Sequence, residues 1–577
     1  MRSIDPITTE IIRNAFISIA NDMNAALIRS AFTPVIYEGK DCSVALIDEY
    51  GEVLGQSLGL PLFLGNLEIC VKLIAEQHGW DYFQEGDVFY MNDSYMTGTH
   101  LNDATIIMPI FLQGKRVGFA ASRAHWLDVG AKDPGTPVDS HEIYQEGVRW
   151  GPTRLYDAGK PREDVIDLLR RNSRFGEAII GDMNAQIAAG RTGEQRLHAL
   201  FGRFGAETIA AARDEIFKQT ELREREAVEA LQDGVFRAEG YLDDDGLGSD
   251  PLLVNLTITI EGDSMTIDLA GSAEQARGPV NCGMTQTVAA ARVAYKLLIC
   301  SDVSPNGGSF RPLNVTAPDR TIFSAQEPAA CGWYFSSLGL LIDLVVKALA
   351  PIMPDKAAGA HYGDSMVITV AGHDPRNDNQ FFLMLEPTTG GWGAFDGGDG
   401  ANSLINNVNG SFKDIPIEIF ENKYPLRILS YGIRQDSGGA GKYRGGNGTF
   451  REYLVEADSD LFLWFERSKT TAWGLFGGKD GAPPNVMVER PDDEKLEFLK
   501  VNGIKVQNGT VINSLTGGGG GYGKAFDRDP ETVRQDVIDD YVSLDHARKA
   551  YGVVLTADFE VDSAETQRLR AKSVGQE

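Results

Sequence analysis

The chain has 577 residues, enough for roughly three or four domain-sized units and for a core that folds without disulfides or a structural metal. Hydrophobic residues make up 42% and charged residues 24%, an ordinary soluble mix, but 82 Asp+Glu stand against 54 Lys+Arg for a formal charge of −28. A field of that sign repels phosphate backbones and anionic lipid, which argues against nucleic-acid and membrane partners.

No apolar run reaches the length of about eighteen residues that a transmembrane helix needs, and the start MRSIDPITTE lacks a signal-peptide layout, so a cytoplasmic chain is expected. The five cysteines are scattered without a CxxC pair, which excludes a disulfide framework or a zinc knuckle. The 64 glycines exceed the usual share and cluster late, at Gly390–Gly400, Gly438–Gly448 and Gly517–Gly521. Apolar residues are interleaved with them, so tight turns and close backbone approaches are expected rather than a linker.

In chain order, Asp5-Pro6 caps a helix predicted over 5–33, with Ile11, Ile12, Ala15, Ile19, Met23, Ala26 and Leu27 at helical spacing. CSVALI at 42–47 reads as a strand, followed by a turn at 48–51 and VLGQS, and a helix is expected over 66–77. Residues 87–123 alternate short apolar runs with turns and read as β-structure. Residues 162–230 read as helical, with a Gly-containing break at 202–205. A hairpin follows at 252–270, then helices at 288–299 and 338–350, the latter apolar nearly all round and therefore core or buried interface. Short strands between Gly-rich turns fill 366–510, a helix covers 531–551, and a frayed end is expected from about Val561.

The fold class is thus mixed α/β (α+β) and multidomain, with a helical middle section and a β-rich, Gly-rich C-terminal half. A working division is 1–160, an α/β region; 161–250, helical; 251–360, α/β; and 361–577, β-rich with a C-terminal helix.

Chemistry concentrates in one stretch. Only eight histidines are present, and two of them, His100 and His125, stand in matched H-x-x-D settings with Asp103 and Asp128. If 104–111 and 117–123 pair as antiparallel strands joined near Gly114, both dyads lie at one end of the hairpin and converge. Two imidazoles and one or two carboxylates with open positions are the ligand set of a catalytic Zn²⁺, Mn²⁺ or Fe²⁺. Two other readings stand beside this one: each histidine capping its own turn, or a metal-free dyad in which Asp128 orients His125 for acid–base catalysis. His141, Glu142, Glu38 and Asp41 are nearby acid–base candidates, each also readable as solvated loop charge. Gly517–Gly521 with Tyr522 lacks the strand–loop–helix frame of a phosphate loop, which favours a tight-turn role. Gly438–Gly448 reads as a β-turn region or a subunit contact. Cys331, in AACGWY, has no basic neighbour and is a poor nucleophile candidate.

The motifs Asp5-Pro6-Ile7-Thr8, Gly98-Thr99-His100-Leu101-x-Asp103 and Arg123-x-His125-x-x-Asp128-Val129-Gly130 resemble those of the hydantoinase B / oxoprolinase family. So do Gly181-Asp182-x-x-Ala185-Gln186, Gly278-Pro279-Val280-Asn281, Gly308-Ser309-Phe310-Arg311-Pro312-Leu313 and Gly390-Gly391-Trp392-Gly393. Asp436-Ser437-Gly438-Gly439 and Gly518–Gly521-Tyr522-Gly523 extend the resemblance over essentially the whole chain.

The resemblance implies that His100, Asp103 and His125 are metal ligands, Zn²⁺ first and Mn²⁺ as the alternative, with His125 and Asp128 catalytic and Asp128 a fourth ligand or the partner that orients His125. It implies a larger hydantoinase A-type subunit that uses ATP and Mg²⁺ to phosphorylate the substrate, in an (αβ)₂ heterotetramer. The present chain, which has no G-x-x-x-x-G-K-[ST] loop, then completes hydrolysis of a small cyclic amide (a lactam, 5-oxoproline or a hydantoin) with a metal-bound water. The alternative is a subunit of an ATP-dependent acetone or acetophenone carboxylase. Such subunits tend to be longer, so the length leans toward the hydrolases. A non-catalytic scaffold for the ATPase subunit is disfavoured by the intact His/Asp set.

Overall fold

The computed structural model describes residues 4–573. Helix α1 (Pro6–Ser30) starts where Asp5 accepts the Thr8 N–H, and it buries Ile12, Phe16, Ile19, Met23 and Leu27 along one stripe. Strands β1 (Cys42–Ile47), β2 (Val53–Gln56), β3 (Val88–Met91), β4 (Asp103–Leu112), β5 (Lys115–His125), β6 (Thr153–Asp157) and β7 (Lys160–Pro161) form one sheet, ordered β2-β1-β5-β4-β3-β6-β7. Helix α2 (Leu67–His78) buries Leu67, Cys70, Val71 and Ile74 in one small core against this sheet. On the opposite face α1 packs with two long helices, α3 (Gly176–Phe204) and α4 (Ala206–Glu229), in the largest core. The expected helical break is present at Gly205, whose φ of 76° lies in the left-handed region.

Glycine lets α3 approach its neighbours. A Cβ at Gly181 would stand 2.3 Å from the Phe32 ring, and one at Gly190 2.2 Å from Met108 Sδ. Asp182 accepts the Phe32 and Thr33 N–H groups, and Gln186 accepts from Trp126 Nε1 while donating to the Ala104 carbonyl. The GDMNAQ run therefore fixes α3 across the back of the β4–β5 hairpin.

The second sheet joins β8 (Gly234–Leu242), β9 (Leu252–Glu261), β10 (Ser264–Asp268) and β11 (Leu313–Thr316). Its β9–β10 hairpin turns at Glu261–Ser264, as expected from EGDS, whereas β8 corrects the helical expectation for the end of 161–250. Helices α5 (Met284–Leu298) and α6 (Tyr334–Leu349) pack together over it, and α6 is buried almost throughout. Two further sheets, of four and five strands, build the C-terminal half around a third core.

Two expectations are corrected at the end of the chain. The helix expected over 531–551 is two helices, Pro530–Ile538 and Leu544–Tyr551, because Asp540 turns left-handed at φ 59° and Ser543 caps the second. The expected frayed end is a helix, Ser563–Ser573, in which Thr566 is buried and accepts the Val554 N–H. Residues 574–577 of that expected end lie outside the described residues.

The Gly-rich segments meet in one bundle. The Gly517 and Gly520 carbonyls accept the N–H groups of Gly391 and Ala394; Gly518 and Gly521 donate to Ala482 and Lys479; Gly519 and Tyr522 bond Gly446, Gly439 and Tyr443. Partners recur every third residue, the screw of a polyproline-II-like strand enclosed by other segments of the chain. A Cβ at Gly518, Gly519 or Gly520 would fall within 2.0 Å of the Ser437, Trp392 or Trp473 carbonyl oxygen. None of Gly517–Gly521 has a positive φ. The tight-turn role expected for this run is therefore corrected: glycine is required there because side chains have no room. Among the described residues no helix is long and apolar enough to cross a membrane.

Candidate metal centre

The β4–β5 hairpin turns at Gln113–Gly114, and its register places Asp103 opposite His125. The antiparallel β1–β5 pairing begins at Cys42 opposite Ala124, and His125 N–H donates to the Asp41 carbonyl at 3.1 Å. Asp41, His125 and Asp103 thus form one row across three strands. His100 joins them from the turn before β4, just after Gly98, where φ is 82° and a Cβ would stand 2.4 Å from the Gln286 side chain. The two H-x-x-D loops are tied together, since Trp126 N–H donates to the Asn102 carbonyl and Asn102 Nδ2 to the Trp126 carbonyl.

His100 Nε2 lies 2.9 Å from Asp103 Oδ1 and 3.1 Å from His125 Nδ1, which is 3.3 Å from the same Oδ1. The ligand atoms of a tetrahedral ion with ~2.1 Å bonds lie ~3.4 Å apart, so these three donor atoms already stand close to ligand spacing. His100 donates Nδ1–H to the Gly332 carbonyl at 3.0 Å, which turns Nε2 toward the cluster, and Tyr334 donates its hydroxyl to Asp103 Oδ2 at 2.9 Å. All four residues of the site, Asp41 included, are buried.

The electrostatics show a site short of positive charge. Burial pushes Asp41 up to about 8, and the Asp103 charge adds to the shift. Burial would raise Asp103 as well, but the His100 charge and the hydrogen bonds from both imidazoles outweigh it and hold the group low. Burial lowers His125, while at His100 the same burial is outweighed by the Asp103 charge. Asp41 Oδ1 and His125 Nε2 are buried without a hydrogen-bond partner. Arg123, two residues before His125 on β5, spends its donors on Thr105, Asn66 and Cys70. Converging donor atoms, an unpartnered buried carboxylate oxygen and, among the described residues, no Lys or Arg ion-paired to Asp41 or Asp103 fit a divalent metal.

The cavity over these residues has a volume of about 40 Å³, walled by Phe63, Phe335, Val367 and Leu385 beside Asp41 and the His/Asp trio. Larger clefts, two of about 400 Å³ and one of about 170 Å³, lie elsewhere and contain none of the four residues.

Asp128 does not join the cluster. Its carboxylate accepts Arg174 Nη1 at 2.6 Å, the Arg174 N–H at 2.7 Å and the Ser173 hydroxyl at 3.2 Å, so it anchors the loop before α3. The expectation of Asp128 as a fourth ligand or as the group orienting His125 is corrected on that ground. His141 and Glu142 are exposed and Glu38 half-buried, none of them lining the cavity, whereas Asp41 faces it. Gly332 and Tyr334 were not among the sequence candidates; only the proximity of AACGWY to the start of an apolar helix marked them. Cys331 is buried against the same loop, and burial raises its thiol well above the usual range.

The sequence matches the model of the family Hydantoinase B/oxoprolinase over residues 5–525. The chain belongs to the hydantoinase B/oxoprolinase family. Among its relatives, the caprolactamase subunit beta of Pseudomonas jessenii is 32% identical over 592 residues, covering 99% of this chain and 100% of the relative. The 5-oxoprolinase of Dictyostelium discoideum is 26% identical over 533 residues, covering 90% of this chain and 40% of that longer protein. The crystal structure of the ATP-dependent caprolactamase from Pseudomonas jessenii superposes with a TM-score of 0.90 at 30% identity, covering 99% of this chain and 100% of that one. A nucleotide-free acetone carboxylase structure shares the fold, with a TM-score of 0.92 at 20% identity, covering 99% and 83%. The mixed α/β multidomain architecture is therefore that of the family.

Proposed function

We propose that this chain is the metal-bearing subunit of a cytoplasmic, ATP-dependent cyclic amide hydrolase. The observation that carries the reading is the buried convergence of His100 Nε2, Asp103 Oδ1 and His125 Nδ1, with the unpartnered Asp41 Oδ1 beside them. A larger partner subunit phosphorylates the amide oxygen with ATP and Mg²⁺, in an (αβ)₂ complex. Full-length similarity to a protein named as a caprolactamase subunit supports both the amide chemistry and the partner.

His100, Asp103 and His125 would hold the ion, Zn²⁺ first and Mn²⁺ as the alternative, and Tyr334 holds the second Asp103 oxygen aside. When bound, a divalent ion supplies the Lewis acidity that makes water a nucleophile near neutral pH. Asp41, which faces the same cavity, would take the proton as water adds to the imidate-like carbon once the charge of a bound ion has offset its burial and ionised it. The C–N bond then breaks, the ring nitrogen leaves as an amine after gaining a proton, and hydrolysis of the remaining acyl phosphate releases inorganic phosphate. Phe63 and Phe335 line the cavity beside the reacting centre with apolar surface.

The test uses the complete two-subunit enzyme with ATP, Mg²⁺ and a panel of lactams, hydantoins and ketones, with and without labelled bicarbonate. Ring-opened amino acid formed at one rate in both conditions is expected. Label fixed into an acid-stable product, with no amide opened, would instead assign the chain to a ketone carboxylase.

A further inference from the structure

The loop that supports His100 is itself held by a carboxylate that the hydrolysis does not use. Glu146, which is 2% exposed, follows a short turn at 143–145. Its Oε2 accepts the Cys331 N–H at 2.9 Å; its Oε1 accepts the Gly332 N–H at 2.9 Å and the Ser140 hydroxyl at 2.6 Å. The two segments are pinned once more where Ile143 N–H donates to the Pro328 carbonyl at 2.9 Å. Gly332 therefore faces two ways across its two flanking peptide units: its N–H goes to Glu146, and its carbonyl takes the Nδ1–H of His100. Tyr334, two residues on, donates to Asp103. The junction has no slack, because a Cβ at Gly332 would stand 2.8 Å from Thr136 Cγ2 and 2.9 Å from Glu146 Oε1.

A buried carboxylate is costly to keep, and an apolar side chain would fill such a position at lower cost. What a carboxylate adds is two oxygens that grip adjacent N–H groups and so hold the backbone that leads into Gly332. We propose that Glu146 is a positioning residue for the metal centre: it clamps the Cys331 and Gly332 N–H groups, which holds the backbone at Gly332 from which the carbonyl that receives His100 Nδ1–H projects, and so the tautomer and ring plane of His100. The proposal rests on the reading that His100, Asp103 and His125 hold a divalent ion. Groups that orient a ligand in this way typically change metal affinity by about 10- to 100-fold when removed.

The experiment titrates Co²⁺ into the purified full-length chain and follows its visible d–d bands. Wild type should give a saturable spectrum. Glu146→Gln, which replaces one gripping oxygen by a donor that repels an N–H, should weaken Co²⁺ binding about 10- to 100-fold and alter the band envelope, while circular dichroism of the metal-free chain stays that of the wild type. A folded Glu146→Gln chain with wild-type affinity and spectrum would overturn the inference. If that variant does not fold, Ser140→Ala, which frees Oε1 on one side, should still weaken binding a few-fold, and unchanged binding there counts equally against it. Absence of a Co²⁺ spectrum in wild type would remove the metal reading itself, and the inference with it.

Discussion

At His125 the chemistry is set by the neighbours the ring has and the one it lacks. Nδ1 faces His100 and Asp103, while Nε2 is buried with no partner. His100→Ala or His125→Ala should therefore lower bound metal from about one ion per chain to near zero with the fold intact, as read by elemental analysis and circular dichroism. Asp128→Ala should do the reverse. It leaves the Arg174 and Ser173 donors without their buried acceptor, costing about 2 kcal/mol of stability in urea unfolding while metal content is retained. Metal loss in Asp128→Ala at unchanged stability would contradict its placement here. The hairpin periodicity and its turn at Gly114 made the pairing of the two histidines readable from the sequence. Asp41 was undervalued because its place depends on β1 finding β5 across some eighty residues, and no local pattern encodes that register. Asp128 was misread because its partner, Arg174, comes from the approach to α3.

The glycine bundle shows the same division among elements. Apolar alternation and helical spacing marked most strands and helices, because each element carries its own period. The Gly517–Gly521 strand carries none: its threefold screw exists only in the presence of the segments around it. Gly519→Ala should cost about 3 kcal/mol or more, since its Cβ would sit 2.0 Å from the Trp392 carbonyl oxygen with only backbone to yield. Gly151→Ala, with nothing within 4 Å and no left-handed φ, should change stability by no more than about 0.5 kcal/mol. Chemical denaturation of the two variants checks this, and equal midpoints would show that the bundle tolerates side chains.

For the molecule as a whole, a formal charge of −28 means that the folded state works against its own repulsion. Raising NaCl from about 0.02 M to 0.2 M, which shortens the screening length from roughly 20 Å to 7 Å, should raise the melting temperature. A fall in Tm would mean that surface ion pairs outweigh the net field. The class and the β-rich, glycine-rich end of the chain were legible from composition and spacing. The way the cores interlock was not, because it follows from contacts such as Leu62 and Leu127 packing with α5 and α6 residues, far apart in sequence. The bundle also sets an order of assembly during synthesis. Segments near 360, 391–394, 439–446 and 475–482 all bond the strand at 517–521, which follows every one of them. While a ribosome is still reading those codons, their backbone groups have only water or each other to bond. The glycine bundle therefore closes only after residue 521 has been made, and until then the backbone groups that will face it stay open to water.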